Sequence, residues 1–284
     1  MGEPLRSLEP LKRALERRPF ALLCDVDGTI SHLAPAPDLA RVTERNRALL
    51  DRLSKRILVA VVSGRDLVDL RRMVGLPDLI YIGLHGLAWR ITGLDELAQE
   101  ARPYEAYTRE AATELGHLKR ITGVVLEVKS VGLAFHYRGA AEHRQVRAQI
   151  IRALASSPAA GRFEVREGIR VVELRPPIGI TKGVAVRRLV DRFGLRGLLY
   201  AGDDLTDVDA FEEVRQLRRQ TSLVGYSLAA AHAEAPEAAT SQADYTVAGV
   251  EGVEWLLGEL ADAVAGASPP GPLSSSTGEG ETTS

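Results

Sequence analysis

The sequence predicts an α/β protein, with a mostly parallel sheet covered by helices on both faces and a smaller α+β insertion. Two observations carry this reading. Along both halves of the chain, short apolar runs alternate with amphipathic helical patterns, as βαβ units around a buried sheet require. Between Tyr104 and Arg175 the order changes to a helix, a pair of alternating strands, a second helix and a second pair of strands. That αββαββ order with short links suits a small antiparallel sheet. Prolines mark both junctions, at Pro103 and at Pro176-Pro177. The expected organisation is a discontinuous core over 19–103 and 179–265 and an insertion over 104–178. A tail over 266–284, almost without apolar residues, is expected to be disordered.

Composition narrows the class. The 284 residues include 36 basic and 38 acidic side chains, so no basic excess argues for nucleic acid or an anionic membrane surface. The single cysteine, Cys24, excludes an internal disulfide and suits a reducing compartment. Its place inside an apolar strand reads as an inert core thiol. No apolar signal region and no run of membrane-spanning length is present, so a cytoplasmic protein is expected.

The elements follow in order. The polar segment up to Arg18 reads either as a helix packing on the core or as a loose arm. Candidate core strands are 21–25, 57–62, 79–82, 198–201, 222–224 and 244–247. Asp66–Val74 is an amphipathic helix with Leu67, Leu70, Met73 and Val74 on one face and Gly75 as its stop. Val186, Leu189, Val190 and Phe193 form another such face, closed by Gly194.

The strand ends carry the chemistry. The run Phe20–Cys24 ends abruptly in Asp25-Val26-Asp27-Gly28-Thr29. Open α/β sheets place their ligands at such carboxyl ends. Aspartates two apart point to opposite faces of a strand, so both serve one site only if the chain turns off it, and Gly28 permits that turn. The simpler reading is a strand end with an Asx-turn. After 57–62 comes Ser63-Gly64-Arg65, which offers a hydroxyl and a close backbone N–H to an anion, or only a helix cap. After 198–201 comes Gly202-Asp203-Asp204-Leu205-Thr206-Asp207. Carboxylates stacked there repel one another unless a hard cation such as Mg²⁺ sits among them. A helix start capped by Thr206, with acids in its first turn, explains Asp207 and Asp209 but not Asp203-Asp204. Finally, Lys182 opens a helix, against the helix dipole, which is tolerable where an anion lies.

Together these are a carboxylate nucleophile, an acid/base partner, a phosphate cradle and a cation site. Phosphate monoesters hydrolyse so slowly, needing enhancements of up to ~10²¹, that such a combination is required. The four segments resemble motifs one to four of the haloacid dehalogenase (HAD) superfamily, over nearly the whole stretch from Phe20 to Leu260. The resemblance implies a HAD-like Rossmannoid core carrying an inserted cap. It also implies that Asp25 attacks phosphorus and that Asp27 is the general acid and base. Ser63, Gly64 and Lys182 would then hold the phosphoryl oxygens. Mg²⁺ would lie between the Asp25 carboxylate, the Asp27 backbone carbonyl and Asp203, with Asp204 and Asp207 in support.

Alternation in the insertion separates two faces. Val124, Leu126 and Val128 are expected to join Leu133, Phe135 and Tyr137 on an apolar face. The other face carries Glu127, Lys129, His136, Arg138, Glu173 and Arg175. This is either an ordinary solvated face or, above a phosphatase site, one suited to a polyhydroxylated substrate. Glu127-x-Lys129, His136-Tyr137-Arg138, Glu173-Leu174-Arg175-Pro176 and Gly83-Leu84-His85-Gly86 resemble the trehalose-6-phosphate phosphatase branch of the superfamily. That likeness implies that Glu127, Lys129, Arg138 and Glu173 bind glucose hydroxyls, with functional pairing to a trehalose-6-phosphate synthase. Val208 and Leu87-Ala88-Trp89 depart from the branch, which commonly has acidic residues there. Another disaccharide phosphate, such as sucrose phosphate or mannosylglycerate phosphate, therefore stays open as substrate. So does a non-catalytic phosphosugar sensor or regulatory domain. His85 reads either as a substrate contact or as part of a turn, and His136 as a substrate contact or a partner of a carboxylate.

Overall fold

Two sheets organise the chain, whose computed structural model describes residues 2–266. The first half runs β1 (Glu3–Pro4), α1 (Lys12–Leu15), β2 (Phe20–Cys24), α2 (Glu44–Ser54), β3 (Leu58–Val62), α3 (Leu67–Val74) and β4 (Ile80–Gly83). A hairpin follows, β5 (Ala88–Ile91) and β6 (Leu94–Leu97). The insertion contains α4 (Tyr104–Leu115), β7 (Val125–Val128), β8 (Leu133–His136), α5 (His143–Ala155), β9 (Glu164–Gly168) and β10 (Val171–Arg175). The chain then continues through α6 (Lys182–Phe193), β11 (Gly197–Gly202), α7 (Leu205–Gln220) and β12 (Val224–Ala231). It finishes with α8 (Glu237–Gln242), β13 (Tyr245–Ala248) and α9 (Gly249–Ala263).

The large sheet has the order β1-β13-β12-β11-β2-β3-β4-β5-β6, parallel from β1 to β4 and antiparallel through β5 and β6. Alternation along β2 divides its side chains between two apolar layers. Leu22 and Cys24 pack with Leu50 of α2 and Leu256 of α9, while Ala21 and Leu23 pack with Leu189 of α6 and Val214 of α7. The small sheet, β7-β8-β10-β9, is antiparallel throughout. Its apolar face, with Leu133, Phe135, Val172 and Leu174, packs on Ala111 and Leu115 of α4 and on Ile150 and Leu154 of α5. The αββαββ order of the insertion and the mostly parallel core agree with the sequence reading.

Several expectations need correction. Of the two N-terminal readings the helix packing on the core holds, with Leu11 and Ala14 fully buried, but the segment also adds an unexpected strand, β1, which pairs in parallel with β13. The strand expected at 222–224 begins only at Val224 and runs to Ala231, through Gly225 and three consecutive alanines. Those residues have weak strand preference, and burial between β11 and β13 overrides it. The β5–β6 hairpin was not anticipated; Thr92 and Gly93 turn it with φ of 49° and 85°, the left-handed pair of a type I′ turn. Val128 lies on edge strand β7 and is exposed rather than buried. Helix α7 is capped by Asp204, two residues ahead of the expected Thr206. The tail expected to be disordered lies outside the described residues. Among those described, no helix is long and apolar enough to cross a membrane.

The strand ends β2, β3, β4 and β11 converge on the edge over which the small sheet sits. α6 enters from behind, and its position depends on Gly183, where an added Cβ would meet the Asp209 carbonyl oxygen of α7 at 2.5 Å. Gly183→Ala should therefore destabilise the protein by about 1–3 kcal/mol in urea denaturation. Gly161→Ala, where a Cβ would meet nothing within 4 Å, should stay within about 0.5 kcal/mol. Equal effects of the two changes would contradict the tight α6–α7 contact.

Candidate active site

Asp25 is the first residue beyond β2, and its N–H donates to Ala201 O at 2.8 Å. The chain then leaves the strand through Gly28, whose φ is +81°. A Cβ at Gly28 would fall 2.1 Å from Asp203 Oδ2, so only glycine lets this turn meet the acidic segment after β11. Asp25, Asp203 and Asp207 are all buried, and each offers a carboxylate oxygen within 4.8 Å of the others. Lys182 Nζ lies 2.9 Å from Asp25 Oδ1 and 2.7 Å from Asp207 Oδ1. The Tyr200 hydroxyl donates to Asp207 Oδ1 at 2.6 Å, and the N–H groups of Asp203 and Asp204 donate to Asp207 Oδ2 at 3.0 Å each. Asp207 is thus fully engaged inside the protein and braces the loop that presents Asp203.

Burial pushes the Asp25 carboxyl well above its usual range, although Lys182 opposes the rise. Burial likewise pushes Asp203 to about 6. It would lower Lys182, but the Asp207 and Asp25 carboxylates outweigh it and raise the ammonium instead. The Cys24 thiol is pushed up to about 12 by burial and by Asp25, which keeps it inert. Three buried carboxylates around one lysine leave surplus negative charge, and every available donor is oxygen. That set fits a hard divalent cation. Asp204 Oδ1, buried and without a hydrogen-bond partner among the described residues, adds another oxygen at the same loop.

Asp27, in the turn after β2, pairs with Arg65. Arg65 holds it with two parallel hydrogen bonds, of 2.6 and 2.7 Å, and also donates to Pro37 O at 2.9 Å. Ser63 is buried; its N–H donates to Ile82 O at 2.8 Å, and its Oγ accepts from Arg65 N–H at 3.3 Å. The small sheet closes the other side. Lys129 Nζ donates to Gly64 O at 2.9 Å and to Glu173 Oε1 at 2.7 Å, and Arg175 donates to Glu173 Oε2. Against burial, which would raise it, Lys129 holds Glu173 well below the usual carboxylate range. His136 and Glu127 are hydrogen-bonded at 2.7 Å, so His136 does pair with a carboxylate.

One cleft is lined by Asp25, Asp27, Ser63, Gly64 and Lys182 below and by Glu127, Lys129, Arg138 and Glu173 above. Asp203 and Asp204 line it too, whereas Asp207 lies behind it. Arg138 stands at the rim and donates to Glu234, bridging the insertion to the core. Three contributors were not anticipated. Tyr200 was legible as a hydroxyl in an otherwise apolar strand. Thr29 Oγ1 donates to Asp203 Oδ1 at 3.0 Å. His232 Nδ1 accepts the Glu234 N–H at 3.2 Å, so its Nε2 donates to Asp203 Oδ2, 3.0 Å away. His232 sits in an alanine-rich run that carries no sequence signal.

The geometry accords with comparisons to known proteins. The family model described as trehalose-phosphatase matches residues 23–250. The trehalose-phosphate phosphatase of Mycobacterium avium (strain 104) is 37% identical over 207 residues, 69% of this chain and 51% of that protein. That of Mycobacterium tuberculosis (strain ATCC 25618 / H37Rv) is 34% identical over 226 residues, 75% of this chain and 56% of that protein. The chain thus spans about half the length of the curated relatives it matches. Among solved structures, the C-terminal domain of a C. albicans trehalose-6-phosphate phosphatase superposes with a TM-score of 0.78 at 23% identity, covering 93% of this chain and 100% of that one. The C-terminal domain of a Candida albicans trehalose synthase regulatory protein gives 0.66 at 14% identity, covering 91% and 99%. At such identities these likenesses show the fold alone, a mostly parallel α/β core with an inserted α+β domain. With the family model matched across most of its length, the chain belongs to the trehalose-phosphatase family.

Proposed function

We propose that this protein is a Mg²⁺-dependent phosphatase that converts trehalose 6-phosphate to trehalose and phosphate through an aspartyl-phosphate on Asp25. The observation that carries this is a single cleft with Asp25, Asp27 and Lys182 on its floor and the polar face of the cap as its roof. Asp25 Oδ2 is the free nucleophilic oxygen, because Oδ1 is held by Lys182. Ser63, the Gly64 backbone and Lys182 receive the non-bridging phosphoryl oxygens. Asp27 protonates the departing sugar oxygen and then takes a proton from the water that attacks the aspartyl-phosphate. Arg65 orients the Asp27 carboxyl group, which enters the first transfer protonated and the second as the carboxylate.

Mg²⁺ would be held by the Asp25 carboxylate, the Asp27 carbonyl and Asp203, and when bound it neutralises charge on the phosphoryl group and the nucleophile. Asp204 and Asp207 support that loop. Glu127, Lys129, Arg138 and Glu173 offer both acceptors and donors, as a polyhydroxylated leaving group requires. Cap closure over the site excludes water while the alcohol departs. The discontinuous core over 19–103 and 179–265 supplies the chemistry and the cap over 104–178 the specificity. The substrate implies a trehalose-6-phosphate synthase as functional partner.

Retention of both Asp25 and Asp27 favours catalysis over a sensing or regulatory role. Asp25→Asn should abolish phosphate release while leaving the fold intact, because Asp207 still pairs the buried Lys182. Near-normal turnover by that variant would remove Asp25 from the nucleophile's role. Chelation of divalent cations should stop turnover and added Mg²⁺ restore it; a chelator-resistant enzyme would refute the cation assignment. Glu127→Ala and Glu173→Ala should each lose about 1.5–3 kcal/mol in kcat/KM on trehalose 6-phosphate relative to p-nitrophenyl phosphate. Equal losses on both esters would show that the cap face does not read the sugar. A phosphate-release screen over disaccharide phosphates, including sucrose phosphate and mannosylglycerate phosphate, tests the substrate itself.

A further inference from the structure

The turn after β4, Gly83-Leu84-His85-Gly86, is used neither by the chemistry nor by the sugar contacts assigned above. Leu84 and His85 both have left-handed backbones, with φ of 52° and 58°. Side-chain-bearing residues rarely adopt that conformation in succession, and strain of this kind clusters at ligand sites. Two hydrogen bonds hold the turn: the Leu84 N–H donates to Arg65 O at 2.9 Å and the His85 N–H to Ser63 O at 3.0 Å. The imidazole is thereby laid on Gly64, where a Cβ would come within 2.4 Å of Cε1 and Nε2. The ring forms part of the cleft wall beside Lys129 and Glu173.

Neither ring nitrogen has a hydrogen-bond partner among the described residues, and both are shielded from solvent. Glu173 Oε2 is 3.8 Å from Nε2, beyond hydrogen-bond reach. An apolar ring would fill the same space without the cost of unpaired buried nitrogens, so packing alone does not account for a histidine here. Burial and the nearby Arg175 push its pKa down to about 3, leaving a neutral ring with one donor and one acceptor nitrogen. A hydroxyl, which both donates and accepts, is the matching partner.

We propose that His85 is a specificity-determining residue whose imidazole hydrogen-bonds a hydroxyl of the sugar released from the phosphate, beside Glu173. This rests on the sugar-phosphatase reading above. The bond satisfies one of the unpaired nitrogens only when sugar is present, so it favours polyhydroxylated leaving groups over aromatic ones.

The test compares kcat/KM on p-nitrophenyl phosphate with kcat/KM on whichever sugar phosphate the wild-type enzyme turns over best. His85→Phe keeps a ring on Gly64 without polar atoms; His85→Asn suits the left-handed backbone but is too short to reach. Both should fall at least tenfold further on the sugar phosphate than on the aryl ester, chiefly through KM. His85→Gln, which restores a donor and an acceptor at similar reach, should recover most of that difference. Parallel losses on both esters would mean that His85 only wedges the Ser63-Gly64 turn, and would overturn the proposal, as would unchanged sugar kcat/KM in both His85→Phe and His85→Asn. If wild type prefers another sugar phosphate to trehalose 6-phosphate, the substrate reading fails while His85 is still judged on the preferred ester.

Discussion

Everything in this site hangs on one buried ammonium. Lys182 reaches from the first turn of α6 to bridge Asp25 after β2 and Asp207 in α7, and all three side chains are almost completely removed from solvent. A charge so placed is stable only if its partners are fixed, since removing one partner leaves an uncompensated buried ion. The partners are fixed by separate means: Asp25 by the β2–β11 ladder, Asp207 by Tyr200 and the backbone of Asp203 and Asp204. Gly183 then matters for a reason beyond helix packing, because it sets how closely α6 can bring its lysine to α7.

That constraint explains which parts of the site were legible in the sequence. Residues that must be of one type at one strand end announce themselves: Asp25, Asp203 and Lys182 cannot be exchanged without breaking the charge balance, and Gly28 cannot carry a Cβ beside Asp203. The core alternation and the αββαββ order of the insertion were equally plain, because periodicity records burial directly. What stayed hidden depends on tertiary placement. Strand β12 was marked only near its start, at 222–224; its closing alanines, and His232 beyond its end, carry no local signal. The pairing of Arg65 with Asp27 and of Arg138 with Glu234 joins residues 38 and 96 positions apart, and charge alone names no partner. Val128 showed the limit of alternation at an edge strand, where one neighbour is missing.

The cap is joined to the core through polar atoms of the cleft itself. Lys129 donates to the Gly64 carbonyl, and the Ser130 N–H donates to Asp66 Oδ2 at 2.7 Å. Arg138 and Glu234 close the rim, and Glu234 in turn positions His232 against Asp203. The arrangement of the cap is therefore registered at both the turn after β3 and the acidic loop after β11.

The Lys129–Glu173–Arg175 cluster has a consequence for how the molecule meets its surroundings. With Glu127, whose carboxylate also acts on Lys129, its charges are matched two against two within the cap and lie largely out of water, where mobile ions screen them weakly. A neutral polyol docking against them changes no net charge and displaces no counterion. Ionic strength should then weigh on the phosphoryl end of the proposed substrate and hardly at all on its sugar end.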